Sequence, residues 1–125
     1  MGVIYIAFGG ALGAVSRYMI SIAALRIFGD SFAFGTLIVN TLGTFLATLF
    51  LTIACIKTAS FFEGAHLFFV VGFLGALTTF STFGAETIAM WQNSLYLKAA
   101  ANILLNNTLA IAAGFAGFFL GKSIC

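Results

Sequence analysis

The chain has 125 residues, 62% of them apolar and 6% charged, and it contains no proline. A water-soluble domain carries about a quarter charged residues, so both a soluble globule and a disordered chain are excluded. A net charge of +2 is too small for a nucleic-acid footprint, and one histidine with two cysteines, Cys55 and Cys125, makes neither a histidine metal cluster nor a disulfide framework.

The composition is that of an all-α integral membrane protein, read as one transmembrane domain over 1–125 with spans at about 2–25, 32–56, 65–91 and 99–120. Each span exceeds the roughly 20 residues that cross a ~30 Å hydrocarbon core. The first is apolar apart from Ser16, Arg17 and Ser21. No basic residue precedes it, so it is expected to be a retained helix rather than a signal peptide. The second carries Thr36, Asn40, Thr44, Thr48 and Thr52, every fourth residue, a row that winds slowly around a helix of 3.6 residues per turn. Threonine hydroxyls can bond back to their own helix. Asn40 cannot satisfy both amide donors that way, which leaves two readings, an interhelical contact or a place on a polar pathway.

The third span is 27 residues long, about 40 Å as a straight helix and longer than the hydrocarbon core. It contains Gly72, Gly75 and the run Thr78-Thr79-Phe80-Ser81-Thr82-Phe83-Gly84. A break is expected near 75–79, where unwound backbone could coordinate ions; the alternative is a continuous tilted helix. Phe80 and Phe83 lie three apart on one side, and a phenyl ring has a positive edge that attracts an anion without a full opposing charge. The fourth span adds Asn102, placed near the interface, then the deeper Asn106 and its neighbour Asn107. None of these asparagines is ionisable, so a proton relay is not expected. They are neutral donors that can replace part of an anion's hydration shell.

Basic residues near the span ends set orientation. Lys57 and Lys122 fall on one face, Arg26 and Lys98 on the other. This balance allows insertion both ways up and an antiparallel homodimer, unless flank lengths fix one orientation. Small residues four apart, Gly9 with Gly13, Gly10 with Ala14 and Gly117 with Gly121, allow close helix approach and are read as compatible with dimerisation.

Three motifs carry a resemblance to a known family. They are Gly9-Gly10-Ala11-Leu12-Gly13-Ala14 with Arg17-Tyr18, then Gly35-Thr36-Leu37-Ile38-Val39-Asn40 with Gly43. The third is Gly72-Phe73-Leu74-Gly75-Ala76-Leu77-Thr78-Thr79-Phe80-Ser81-Thr82-Phe83 followed by Glu86. In their order and placement the chain resembles the CrcB/Fluc fluoride channels over essentially all four spans. The resemblance implies an antiparallel, dual-topology homodimer with two pores in a bacterial inner membrane, exporting cytoplasmic fluoride passively and protecting against its toxicity. It implies that Phe80 and Phe83 line the pore with ring edges and that Asn40 donates to the permeating ion. Thr79, Ser81, Thr82 and Asn106 would continue a polar track. Backbone carbonyls of Gly75 and Thr78 would hold a structural Na⁺ at the dimer centre, and Arg17 and Glu86 would sit at vestibules. Ala110 stands where some relatives carry a hydroxyl, and Asn107 has no role in the pattern.

Two other functions compete. A small multidrug transporter needs a carboxylate deep in the membrane, yet Asp30 and Glu63 are placed in loops and Glu86 near a span end. A non-transporting accessory subunit would pass no ions alone. An enzyme is not expected, because no nucleophile–base pair or metal constellation is present.

Overall fold

A computed structural model describes residues 1–54 and 59–125, so Cys55 and Lys57, the latter one of the four residues in the charge count, lie outside the described residues. The elements are α1 (Gly2–Phe28), α2 (Phe34–Ala54), α3 (Ala59–His66), a π-helical stretch (Leu67–Leu74), α4 (Gly75–Leu77), α5 (Phe80–Gln92) and α6 (Tyr96–Ile124). Four segments are long and apolar enough to cross a membrane: α1, α2, Phe62–Gln92 and α6.

The third span begins earlier than its hydropathy suggests, since α3 occupies residues expected to form a loop at 57–64. Its sequence is polar enough to interrupt an apolar run at Glu63 and Gly64, but it has no proline to stop a helix. Polarity marks where a helix leaves lipid; it does not end the helix. The same holds for α6, which extends three residues before and four after the expected span. True ends are made by backbone chemistry. At the end of α1, Gly29 takes φ 77° and donates its N–H to Leu25 O at 2.9 Å, a conformation open to glycine. Between α5 and α6 the chain turns through Ser94 at φ 61°, with Leu95 N–H on Met90 O at 2.8 Å. Lys98 Nζ then reaches Ser31 O at 2.7 Å, so the first and third connections lie on one face of the bundle.

Small residues govern the packing. α1 lies along the π-helical stretch and α2 along α6. A Cβ on Gly9 would fall on the Phe68 carbonyl, and one on Gly13 on the Phe73 carbonyl. Gly114, Gly117 and Gly121 likewise face Thr44, Thr48 and Thr52 across the α2–α6 contact. The pairs Gly9/Gly13 and Gly117/Gly121, read from sequence as compatible with dimerisation, are therefore engaged within the chain. The threonines of the row lie on the same contact: Thr44, Thr48 and Thr52 donate to carbonyls four residues back (2.7, 3.0 and 2.7 Å) and pack on glycine. Val39, Leu74 and Leu77 form the apolar centre between the two helix pairs, while many large side chains, among them Phe8, Leu12, Met19 and Leu104, are exposed as a lipid-facing surface allows.

Gly9→Ala is expected to lower stability by about 1–3 kcal/mol through overpacking. Gly10→Ala, whose new methyl meets nothing closer than Gly72 O at 4.0 Å, should be nearly neutral. Thermal unfolding of the two variants in detergent would check the difference.

Candidate functional site

The third span is interrupted at its middle. Thr78 (ψ 153°) and Thr79 (φ −151°, ψ 110°) are extended between α4 and α5. Two side chains replace the lost helical bonds. Asn40 of α2 meets the Thr79 peptide group from both sides: Thr79 N–H donates to Asn40 Oδ1 at 2.8 Å, and Asn40 Nδ2 donates to Thr79 O at 3.2 Å. Thr79 Oγ1 in turn caps α5 by accepting Thr82 N–H at 3.1 Å, the usual service of a threonine at a helix start.

These substitutions redirect donors. In a continuous helix Thr79 N–H would bond the Gly75 carbonyl and Thr82 N–H the Thr78 carbonyl; here they go to Asn40 Oδ1 and Thr79 Oγ1. Gly75 and Thr78 therefore present carbonyls relieved of their helical donors. Both border a recess of about 230 Å³ with Gly43, Thr44, Ala47, Val70 and Leu74.

Asn40 is also the first link of a side-chain relay. Its Nδ2 donates to Asn106 Oδ1 at 3.0 Å, and Asn106 Nδ2 donates to Asn102 Oδ1 at 2.8 Å and Asn102 O at 3.2 Å. Asn102 Nδ2 donates to Thr87 Oγ1 at 3.0 Å, whose own hydrogen goes to Phe83 O at 2.8 Å. The relay starts at Thr79, just before α5, and ends on α5 at Phe83, clamping its first turn to α2 and α6. Asn102 is fully buried between Asn106 and Thr87. Its four-residue spacing from Asn106 was the available signal. Thr87 carried none.

The expected site residues divide among three places. Asn40, Phe80, Phe83 and Asn106 border one recess of about 240 Å³, together with Thr44, Thr78, Asn107, Ala110 and Ile111. The two rings stand 5.3 Å apart at 59°, with Phe83 buried at 7% exposure and Phe80 open at 80%. Thr82 and Glu86 border a second recess with Ser21 and the buried Thr36, where Glu86 Oε2 is buried without a hydrogen-bond partner among the described residues. Thr79 is buried at the break and Ser81 is exposed beside it, 3.3 Å between hydroxyls. Arg17, half-buried on α1, borders none of these recesses. Of the two readings of Asn40, the interhelical contact is present in this conformation: both amide hydrogens are engaged, on Thr79 O and Asn106 Oδ1.

No ionisable side chain borders the 240 Å³ recess among the described residues, and no group of three His, Cys, Asp or Glu that could hold a metal occurs among them. Amides, hydroxyls and ring edges can solvate an ion without adding a charged group to its surroundings.

These features define a class: a small four-span membrane protein whose third span is opened at mid-depth by neutral polar side chains. Residues 4–118 match the family described as "CrcB-like protein, Camphor Resistance (CrcB)", and the chain belongs to that family. It is 47% identical over 121 residues to a Shewanella amazonensis protein named "Fluoride-specific ion channel FluC", covering 92% of this chain and 91% of that one. A Legionella pneumophila (strain Lens) protein of the same name is 44% identical over 119 residues, 95% of this chain and 88% of the other. These relatives carry the name of a channel and not of an enzyme.

Asn102→Leu removes the acceptor for Asn106 Nδ2 and the donor to Thr87, and should lower stability by about 1–3 kcal/mol. Asn93→Leu, which loses only an exposed bond to Ala89 O, should change it by less than about 0.5 kcal/mol. Thermal unfolding would separate them.

Proposed function

We propose that the chain forms a fluoride-selective channel that lets fluoride leave the cytoplasm of a bacterial cell passively, across the inner membrane, and so protects against its toxicity. The observation that carries this reading is the recess at the interrupted third span, bordered by amides, hydroxyls and two phenyl rings with no ionisable side chain. Fluoride holds its water tightly, so a selective path must offer close neutral dipoles in its place. Ring edges of Phe80 and Phe83 attract an anion without trapping it. The start of α5 adds the positive end of a helix dipole at the same depth. The names of the relatives supply the identity of the ion. The direction follows from the membrane potential: at 100 mV, negative inside, exit of a monovalent anion is favoured by about 2.3 kcal/mol, about a fiftyfold gradient.

The same reading places two copies antiparallel, with a structural Na⁺ between them and pathways that include Thr79, Ser81, Thr82 and Asn106, opening at vestibules near Arg17 and Glu86. The donor set suits that ion: the carbonyls of Gly75, in the last helical turn, and of the extended Thr78 are relieved of their helical N–H partners, and backbone oxygens of this kind can coordinate Na⁺ in broken membrane helices. Two copies would contribute four such oxygens. When bound, the ion would add fixed positive charge near the anion's path.

Liposomes holding only this protein are expected to release fluoride rapidly and electrogenically with negligible chloride release; release that requires a proton gradient would indicate a transporter, and none an accessory subunit. Phe80→Ile should sharply reduce fluoride release while dimers persist, and unchanged flux would remove the ring-edge argument. Tags on the termini should be labelled from both faces of the membrane; labelling from one face would exclude dual insertion.

A further inference from the structure

The hydrogen bonds of the 240 Å³ recess determine which of its side chains can still donate. Asn40 Nδ2 has two acceptors, Thr79 O and Asn106 Oδ1, and Asn106 Nδ2 has two, Asn102 O and Asn102 Oδ1. The single hydrogens of Thr44 and Thr78 go to Asn40 O at 2.7 Å and Leu74 O at 2.9 Å. Phe80, Phe83, Ala110 and Ile111 have no polar side-chain hydrogen. Asn107 differs from all of these. Its Nδ2 makes one bond, to Ile103 O at 2.7 Å, and a primary amide carries two N–H groups. The second is uncommitted, on a side chain that borders the recess and is exposed.

Depth adds an independent argument. Asn107 is the twelfth residue of α6 (Tyr96–Ile124), about 17 Å along a helix about 43 Å long, and therefore near the middle of the hydrocarbon core. An amide N–H facing acyl chains there would be left without a partner at a cost of several kcal/mol. The recess offers it the alternative of an anion.

We propose that Asn107 gives the anion a further direct contact in this recess, through its free Nδ2–H and beside the Phe80 and Phe83 ring edges, while the amide hydrogens of Asn40 and Asn106 are engaged in the relay in this conformation. This rests on the channel reading and assigns within it a side-chain donor to the anion that the relay leaves free.

The experiment compares wild type, Asn107→Leu and Asn107→Gln in liposome fluoride and chloride flux, with the dimer content of each followed by size exclusion. Wild-type flux tests the channel reading by itself, and its absence would sink that reading and not this assignment alone. Given wild-type flux, Asn107→Leu is expected to slow fluoride release by about tenfold or more, the scale of a hydrogen bond to a charged group. Asn107→Gln, which restores a two-hydrogen amide, should keep the flux and the preference over chloride. Wild-type flux and selectivity in Asn107→Leu would overturn the assignment. So would a loss of dimer in Asn107→Leu with unchanged flux per dimer, which would place the amide against a second copy of the chain. Should Asn107→Leu fail to fold, wild-type protein labelled with ¹⁵N-asparagine gives a second test, the Asn107 side-chain signals being identified by their absence in Asn107→Gln. Added fluoride, and not chloride, should shift those signals and leave those of the buried Asn102 in place; no shift in protein that conducts fluoride would overturn the assignment.

Discussion

The structure depends on the exchange of two hydrogen bonds between the Asn40 side chain and the Thr79 peptide group. Opening a helix in lipid strands an N–H and a carbonyl where water is absent, at several kcal/mol for each unsatisfied group. A primary amide can accept one bond and donate another along one edge, as a neighbouring peptide would. Asn40 therefore stands in for a missing turn of helix, and with the Thr79 cap it makes the extended conformation at Thr78 and Thr79 tolerable. The polarity at either side of the break follows. Carbonyls relieved of donors lie before it, at Gly75 and Thr78, and the positive end of α5 lies after it.

The relay from Asn40 to Phe83 shows why three asparagines can occupy so apolar a chain. Each amide hands its donor to the next acceptor, and the series begins on the backbone of Thr79 and ends on the Phe83 carbonyl. Fully satisfied buried networks hold one arrangement, because every alternative leaves a polar group unpaired in a low-dielectric interior. The break is thus supported from two helices, α2 and α6. Those helices approach closely because glycines at Gly114, Gly117 and Gly121 receive the threonines of α2. Close backbone packing and the polar relay are two parts of one contact, that between α2 and α6.

Much of this was legible in the residues. The four spans follow from hydropathy and length, the interruption from an overlong third span with clustered glycine and hydroxyls, and the importance of Asn40 from an amide its own helix cannot satisfy. What misled was treating polarity as a boundary. Glu63 and Gly64 interrupt an apolar run without ending α3. The glycine pairs were visible, but not their partners, since small residues at a four-residue spacing say only that some backbone comes close.

Sequence by itself determined that this chain lives in lipid, crosses it four times and carries neutral donors in place of charges, because each of these follows from composition and from the cost of stranding polar groups in hydrocarbon. Tertiary structure alone decided how those donors are divided. Whether an amide hydrogen is free depends on which acceptors lie within about 3 Å, and those acceptors, Thr79 O for Asn40 and Asn102 Oδ1 for Asn106, are brought there by helix packing. An isolated list of asparagines cannot distinguish the relay from Asn107; the distances between helices can.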